Sequence, residues 1–77
     1  MQVSISSAEA LGAVMRARRQ ADGLTQSEIA ASTGMSKFNI RRLENGRDNK
    51  ITMLLRWARS MGVSIVLDDP RLQENDQ

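Results

Sequence analysis

Four stretches of helical periodicity predict an all-α domain. Each opens on small polar residues and closes on glycine or Asn-Gly. A change of period after Gly62 predicts one β-strand appended to the bundle of four helices. At 77 residues the chain has room for a single small core, so reinforcement by a partner subunit is expected.

The first helix is expected over about 7–22. Ser6-Ser7-Ala8-Glu9 reads as a capping box, with Ser6 accepting from the third helical amide and Glu9 reaching back. Leu11, Val14 and Met15 follow at helical spacing, Arg16, Arg18 and Arg19 crowd the later turns, and Gly23 ends the run. Thr25-Gln26-Ser27-Glu28 is a second capping box and opens a short helix over about 26–32, closed by Gly34. Ser36 caps a third helix over about 37–45, which stops at Asn45-Gly46. Asp48-Asn49 offers caps for a fourth over about 51–61, with Ile51, Leu54, Leu55, Ala58 and Met61 on its inner side. Val63-Ser64-Ile65-Val66-Leu67 then reads as the strand, ended by Asp68-Asp69-Pro70. Residues 2–5 offer a second short extended segment. The domain is expected over 1–70 and a flexible acidic tail over 71–77.

Composition removes several function classes. With no Cys and no His, disulfide staples, Cys/His zinc sites and His- or Cys-dependent triads are excluded. There is no glycine-rich phosphate loop and no pair of carboxylates suited to a cleft, so an enzyme is not expected, nor a cofactor or metal. No apolar run approaches the roughly 18 residues of a membrane span, and the N-terminus lacks a signal peptide's basic start and apolar core. A cytoplasmic, nucleoid-associated protein with no membrane partner is the expectation. The net charge of +2 is unevenly spread: Asp68, Asp69, Glu74 and Asp76 outweigh Arg71 at the end, leaving a basic body. A basic body suggests an anionic partner.

The second and third helices, joined by the tight turn Gly34-Met35-Ser36, have the dimensions of a helix-turn-helix. In the third helix, Ile40 and Leu43 share one face and must point inward. At roughly 100° per residue, Lys37, Phe38, Arg41 and Arg42 fall on the other side. That face carries three cations, one aromatic ring and no acid. Either Phe38 folds back onto the second helix, or the helix is built for the DNA major groove. There Lys and Arg donate to guanine or phosphate and Phe meets a thymine methyl.

Leu11-Gly12, Met15-Arg16, Arg19, Gly23-Leu24-Thr25-Gln26, Glu28-Ile29-Ala30, Gly34-Met35-Ser36, Ile40 and Leu43-Glu44-Asn45-Gly46-Arg47 fall in one register. Over about residues 8–62 the chain resembles the Cro/CI-type (Xre) helix-turn-helix family, and the strand makes it most similar to HipB-like antitoxin regulators. The resemblance implies a lambda-repressor-like helix-turn-helix bundle of four helices plus a C-terminal dimerising β-strand. It implies that Gln26 and Ser27 approach phosphate or a base edge. Lys37, Phe38 and Arg42 would face bases, with Ser36 and Asn39 near the backbone and Arg41 on the same side. Asn45, Arg47 and Lys50 would touch phosphates. Phe38 departs from the family, in which polar residues are commoner at this position. Arg19 would pair with Glu44 rather than with DNA. Val63, Ile65, Val66 and Leu67 would form the dimer interface.

The function these readings imply is a transcriptional regulator, a repressor, that binds a palindromic operator in double-stranded DNA as a homodimer. A HipB-like antitoxin would also hold a toxin of the HipA-like kinase type. The alternative is a protein-interaction module that mainly binds and neutralises such a kinase. Trp57, Arg56 and Arg59 read as packing and solvated face, and the methionines as adaptable core or dimer surface.

Overall fold

The computed structural model of the chain describes residues 2–47 and 50–72. Its helices are α1 (Ala8–Ala21), α2 (Gln26–Thr33), α3 (Lys37–Glu44) and α4 (Ile51–Met61). Each falls within a residue or so of the expected bounds.

The caps fix where the helices start. Ser7, not Ser6, caps α1: its backbone is extended and its hydroxyl accepts from the Ala10 amide at 3.0 Å. Ser7 holds the cap because the first bond of the helical ladder, from the Leu11 amide, is accepted by the Ser7 carbonyl at 3.1 Å. Glu9 is then too early to close a box and serves the positive end of the helix dipole instead. At α2 the reciprocal box forms as expected, with the Glu28 amide donating to Thr25 Oγ1 at 3.1 Å and the Thr25 amide to Glu28 Oε1 at 2.8 Å. Ser36 caps α3 through the Asn39 amide at 3.0 Å. Lys50 holds the cap position of α4 with no side-chain bond, while the expected Asp48-Asn49 caps lie outside the described residues.

The core gathers Met15, Ile29, Met35, Ile40, Leu43, Trp57, Ala58 and Met61. Burial of Met15, Ile29 or Ile40, each almost wholly removed from solvent, contributes about 1.5–3 kcal/mol per side chain. α3 packs against both α1 and α2, and α2 packs against α4. The inner stripe of α4 is Leu54, Trp57, Ala58 and Met61, at spacings of three and four. Ile51 and Leu55 lie to one side of that stripe and are exposed, contrary to the sequence expectation. Trp57 Nε1 is buried without a hydrogen-bond partner among the described residues.

Gly62 ends α4 in the left-handed conformation (φ 68°), and the Val63 amide returns to Ala58 O at 2.9 Å. Arg18 Nη2 donates to Met61 O at 2.7 Å and so satisfies another terminal carbonyl. Beyond this point the expected β-strand is absent: the described residues contain no strand, and 63–69 form no regular element. A strand requires a ladder, and among the described residues no neighbouring segment supplies one; residues 2–6 are irregular too. Val63 packs on the core, whereas Ile65, Val66 and Leu67 are exposed. The two irregular ends and helices α1 and α4 enclose a groove of about 1120 Å³.

Candidate nucleic-acid interface

The helix-turn-helix is set by its turn. Gly34 takes a left-handed φ of 74°, a conformation that favours glycine, and the Met35 amide bonds back to Ala30 O at 3.1 Å. Met35 is thereby buried in the core, and Ser36 starts α3 at once. The turn is thus anchored at both ends, and the direction of α3 is fixed by packing.

On α3, Ile40, Leu43 and Glu44 face inward. Lys37, Phe38 and Arg41 are exposed, Phe38 to 63%. Phe38 therefore does not fold back onto α2. The Arg42 guanidinium instead reaches one turn back and lies 5.5 Å from the Phe38 ring centroid, within cation–π range. Its Nη2 also donates to Arg47 O at 3.1 Å. Asn39 is half-buried, and the Ser36 hydroxyl is occupied as the cap. Ser27, Arg47 and Lys50 are exposed on the elements flanking α3.

Beneath this face lies a polar network centred on Glu44, whose side chain is 1% exposed. Arg19 grips both carboxylate oxygens, Nε to Oε2 at 2.6 Å and Nη2 to Oε1 at 3.0 Å, and its Nη1 donates to Leu24 O at 2.8 Å. The pairing that the family resemblance implied is present and bidentate. Gln26 Nε2 donates to Glu44 Oε1 at 3.2 Å. Burial pushes the Glu44 carboxyl up. The hydrogen bonds from Arg19, Gln26 and Arg16, with the Arg19 charge, outweigh that and hold it below the ordinary carboxylate value. The hydrogen bond to Glu44 raises Arg19 in turn, against the opposite pull of burial.

Arg16 is the network member that sequence reasoning missed. Its Nη2 donates to Asn45 Oδ1 at 2.8 Å and its Nε to Glu44 Oε1 at 3.5 Å. The available signal was Gly12, one turn earlier on the same face of α1. A Cβ there would press on Glu44 O and lie 2.6 Å from Leu43 O. Only glycine lets α1 come this close to the end of α3, which brings Arg16 and Arg19 within reach of Glu44. Gln26 and Asn45, expected at the DNA, are thereby joined through one buried carboxylate and one arginine.

Among the described residues no group of acids forms a candidate metal site, and no helix is long and apolar enough to cross a membrane. No curated protein sequence matches the chain. Among solved structures, it is similar to the one described as "Structure of HipA-HipB-O2-O3 complex", with 33% identity over 90% of this chain and 99% of that one, at a TM-score of 0.79. The "HipB-O4 20mer complex" gives the same values. The clp gene regulator ClgR from C. glutamicum is 31% identical over 79% of this chain and 80% of its own, at a TM-score of 0.69. The helix-turn-helix domain model matches residues 10–69. The chain belongs to the helix-turn-helix domain family, as a DNA-binding transcriptional regulator and not an enzyme.

Proposed function

We propose that the protein is a repressor that binds a palindromic operator as a homodimer and blocks transcription by occupying it. The observation that carries this reading is the exposed face of α3, with Lys37, Phe38 and Arg41 outward and no acid among them. Such a face suits the major groove, where base edges are distinguishable, and its cations suit phosphate. Lys37, Phe38 and Arg42 read bases in this proposal, with Arg41 on the same side. Gln26 and Ser27 approach phosphate or a base edge, and Ser36, Asn39, Asn45, Arg47 and Lys50 lie at the backbone. The first amides of α2, Gln26 and Ser27, lie at the positive end of a helix dipole and reinforce the phosphate side. The exposed apolar segment Ile65-Val66-Leu67 is where a second copy covers the groove. The cytoplasm is the compartment this function requires.

Binding-site selection from random duplexes tests the reading. The expected result is a palindrome with half-sites about one helical turn apart, roughly 34–36 Å. Phe38→Ala should relax the preference at one thymine position. A selection that enriches nothing overturns the operator reading, and an unchanged thymine preference removes Phe38 from it.

The antitoxin role has its own support, because the likeness to a chain solved with HipA spans nearly the whole of both proteins. We infer that this protein also binds a HipA-like kinase. Co-expression with a kinase encoded beside it should give a stable complex with reduced kinase activity. A kinase unaffected by excess protein argues against that role.

A further inference from the structure

We propose that Arg16 is a DNA phosphate contact held in place by Asn45 and Glu44, an inference that rests on the operator-binding reading above. Arg16 lies on α1, outside the helix-turn-helix, yet its side chain is 44% exposed beside the C-terminal end of α3. Its Nη2 is 2.8 Å from Oδ1 of Asn45, the C-cap of α3. Its Nε shares Glu44 Oε1 with the Gln26 amide at the start of α2. One guanidinium therefore stands between two side chains that the operator reading assigns to DNA.

The electrostatics favour an anion there. Glu44 carries one negative charge against the two positive charges of Arg16 and Arg19. The carboxylate is buried and fully engaged by its donors, so an arriving phosphate meets the guanidinium and not the carboxylate. A guanidinium has five N–H donors, and two of those on Arg16 are used within the protein. The others find no acceptor among the described residues and point to a ligand that brings oxygens. Holding the group at two points also lowers the conformational entropy lost when it binds.

A purely structural Arg16 would tie α1 to α3 and nothing more. The two roles separate in the salt dependence of operator binding. Each neutralised phosphate contributes about 0.9 to the log–log slope on B-DNA. Arg16→Gln keeps a donor for Asn45 but loses the charge. Its affinity should fall about 3.5-fold less than the wild type's between about 50 and about 200 mM salt, on operator and random duplex alike. Arg16→Lys, which keeps the charge, should retain the wild-type slope even where thermal unfolding shows some lost stability. An unchanged slope in Arg16→Gln overturns the proposal, as does an equal loss of slope in Arg16→Lys. A wild-type protein that binds no duplex overturns the operator reading itself, and this inference with it.

Discussion

Glu44 illustrates how a buried charge is tolerated in so small a core. A carboxylate stripped of water is expensive unless donors replace the water. Here Arg19, Gln26 and Arg16 replace it, and the pair is worth most when neither partner is missing. Arg19→Ala should therefore destabilise the fold by roughly 3–5 kcal/mol, because the carboxylate stays buried and uncompensated. The Arg19→Ala/Glu44→Ala double variant should lose less than the sum of the two single losses. Urea titration of the four proteins checks this, and strictly additive losses would mean no coupling. The pH dependence has a definite sign. The folded carboxyl is held below its unfolded value, so its contribution is complete above the unfolded range and is lost as pH falls through the folded value. Glu44→Gln should flatten the decline in stability as pH falls below the unfolded carboxyl value of 4.5. The Arg19–Glu44 pair was legible in the sequence through family register. Arg16 was passed over, because its role depends on how closely α1 approaches α3, which only Gly12 one turn earlier signals.

At the scale of elements, the caps and glycines carried most of the readable information. Helix existence, order and approximate ends all follow from Thr25-x-x-Glu28, Ser36 and the glycine stops. The face of α4 was harder to read, since apolar residues at 51, 53, 54, 55, 57, 58 and 61 fit more than one stripe. Trp57 decides it: the largest side chain takes the core, and Ile51 and Leu55 are left outside. The strand was over-read for a related reason. Val63-Ser64-Ile65 alternates, but Val66 breaks the alternation, and β-propensity without a pairing partner does not form a ladder. Gly12 gives a prediction whose sign is opposite to helix propensity. An exposed helical glycine changed to alanine gains roughly 0.5–1 kcal/mol. At Gly12 the added Cβ would lie 2.6 Å from Leu43 O and 2.7 Å from the Glu44 carbonyl carbon, both backbone atoms. α1 and α3 must then part, so Gly12→Ala should destabilise by about 1–3 kcal/mol in urea. A neutral or stabilised variant would show that the helices separate freely.

The whole molecule leaves apolar surface open where a monomer of this size can least spare it. Val3 and Ile5 at one end and Ile65, Val66 and Leu67 at the other are exposed around a groove whose walls include Leu11, Leu54 and Trp57. Leu67 is 85% exposed, so within one chain it contributes nothing to the core. A clustered apolar surface of this kind marks an interaction site more often than accident. A second copy related by a two-fold axis would present the same surface, and the contact would be self-complementary. The same axis would place two copies of α3 for two half-sites, which links dimerisation to operator affinity. Val66→Asp/Leu67→Asp separates this from folding, because both side chains are already in solvent in the single chain. The double variant should keep the wild-type helical circular dichroism, halve the mass seen by light scattering, and bind a full palindrome no better than a single half-site. A double variant that stays dimeric would move the interface elsewhere, with the exposed Ile51 and Leu55 of α4 as the next surface to change.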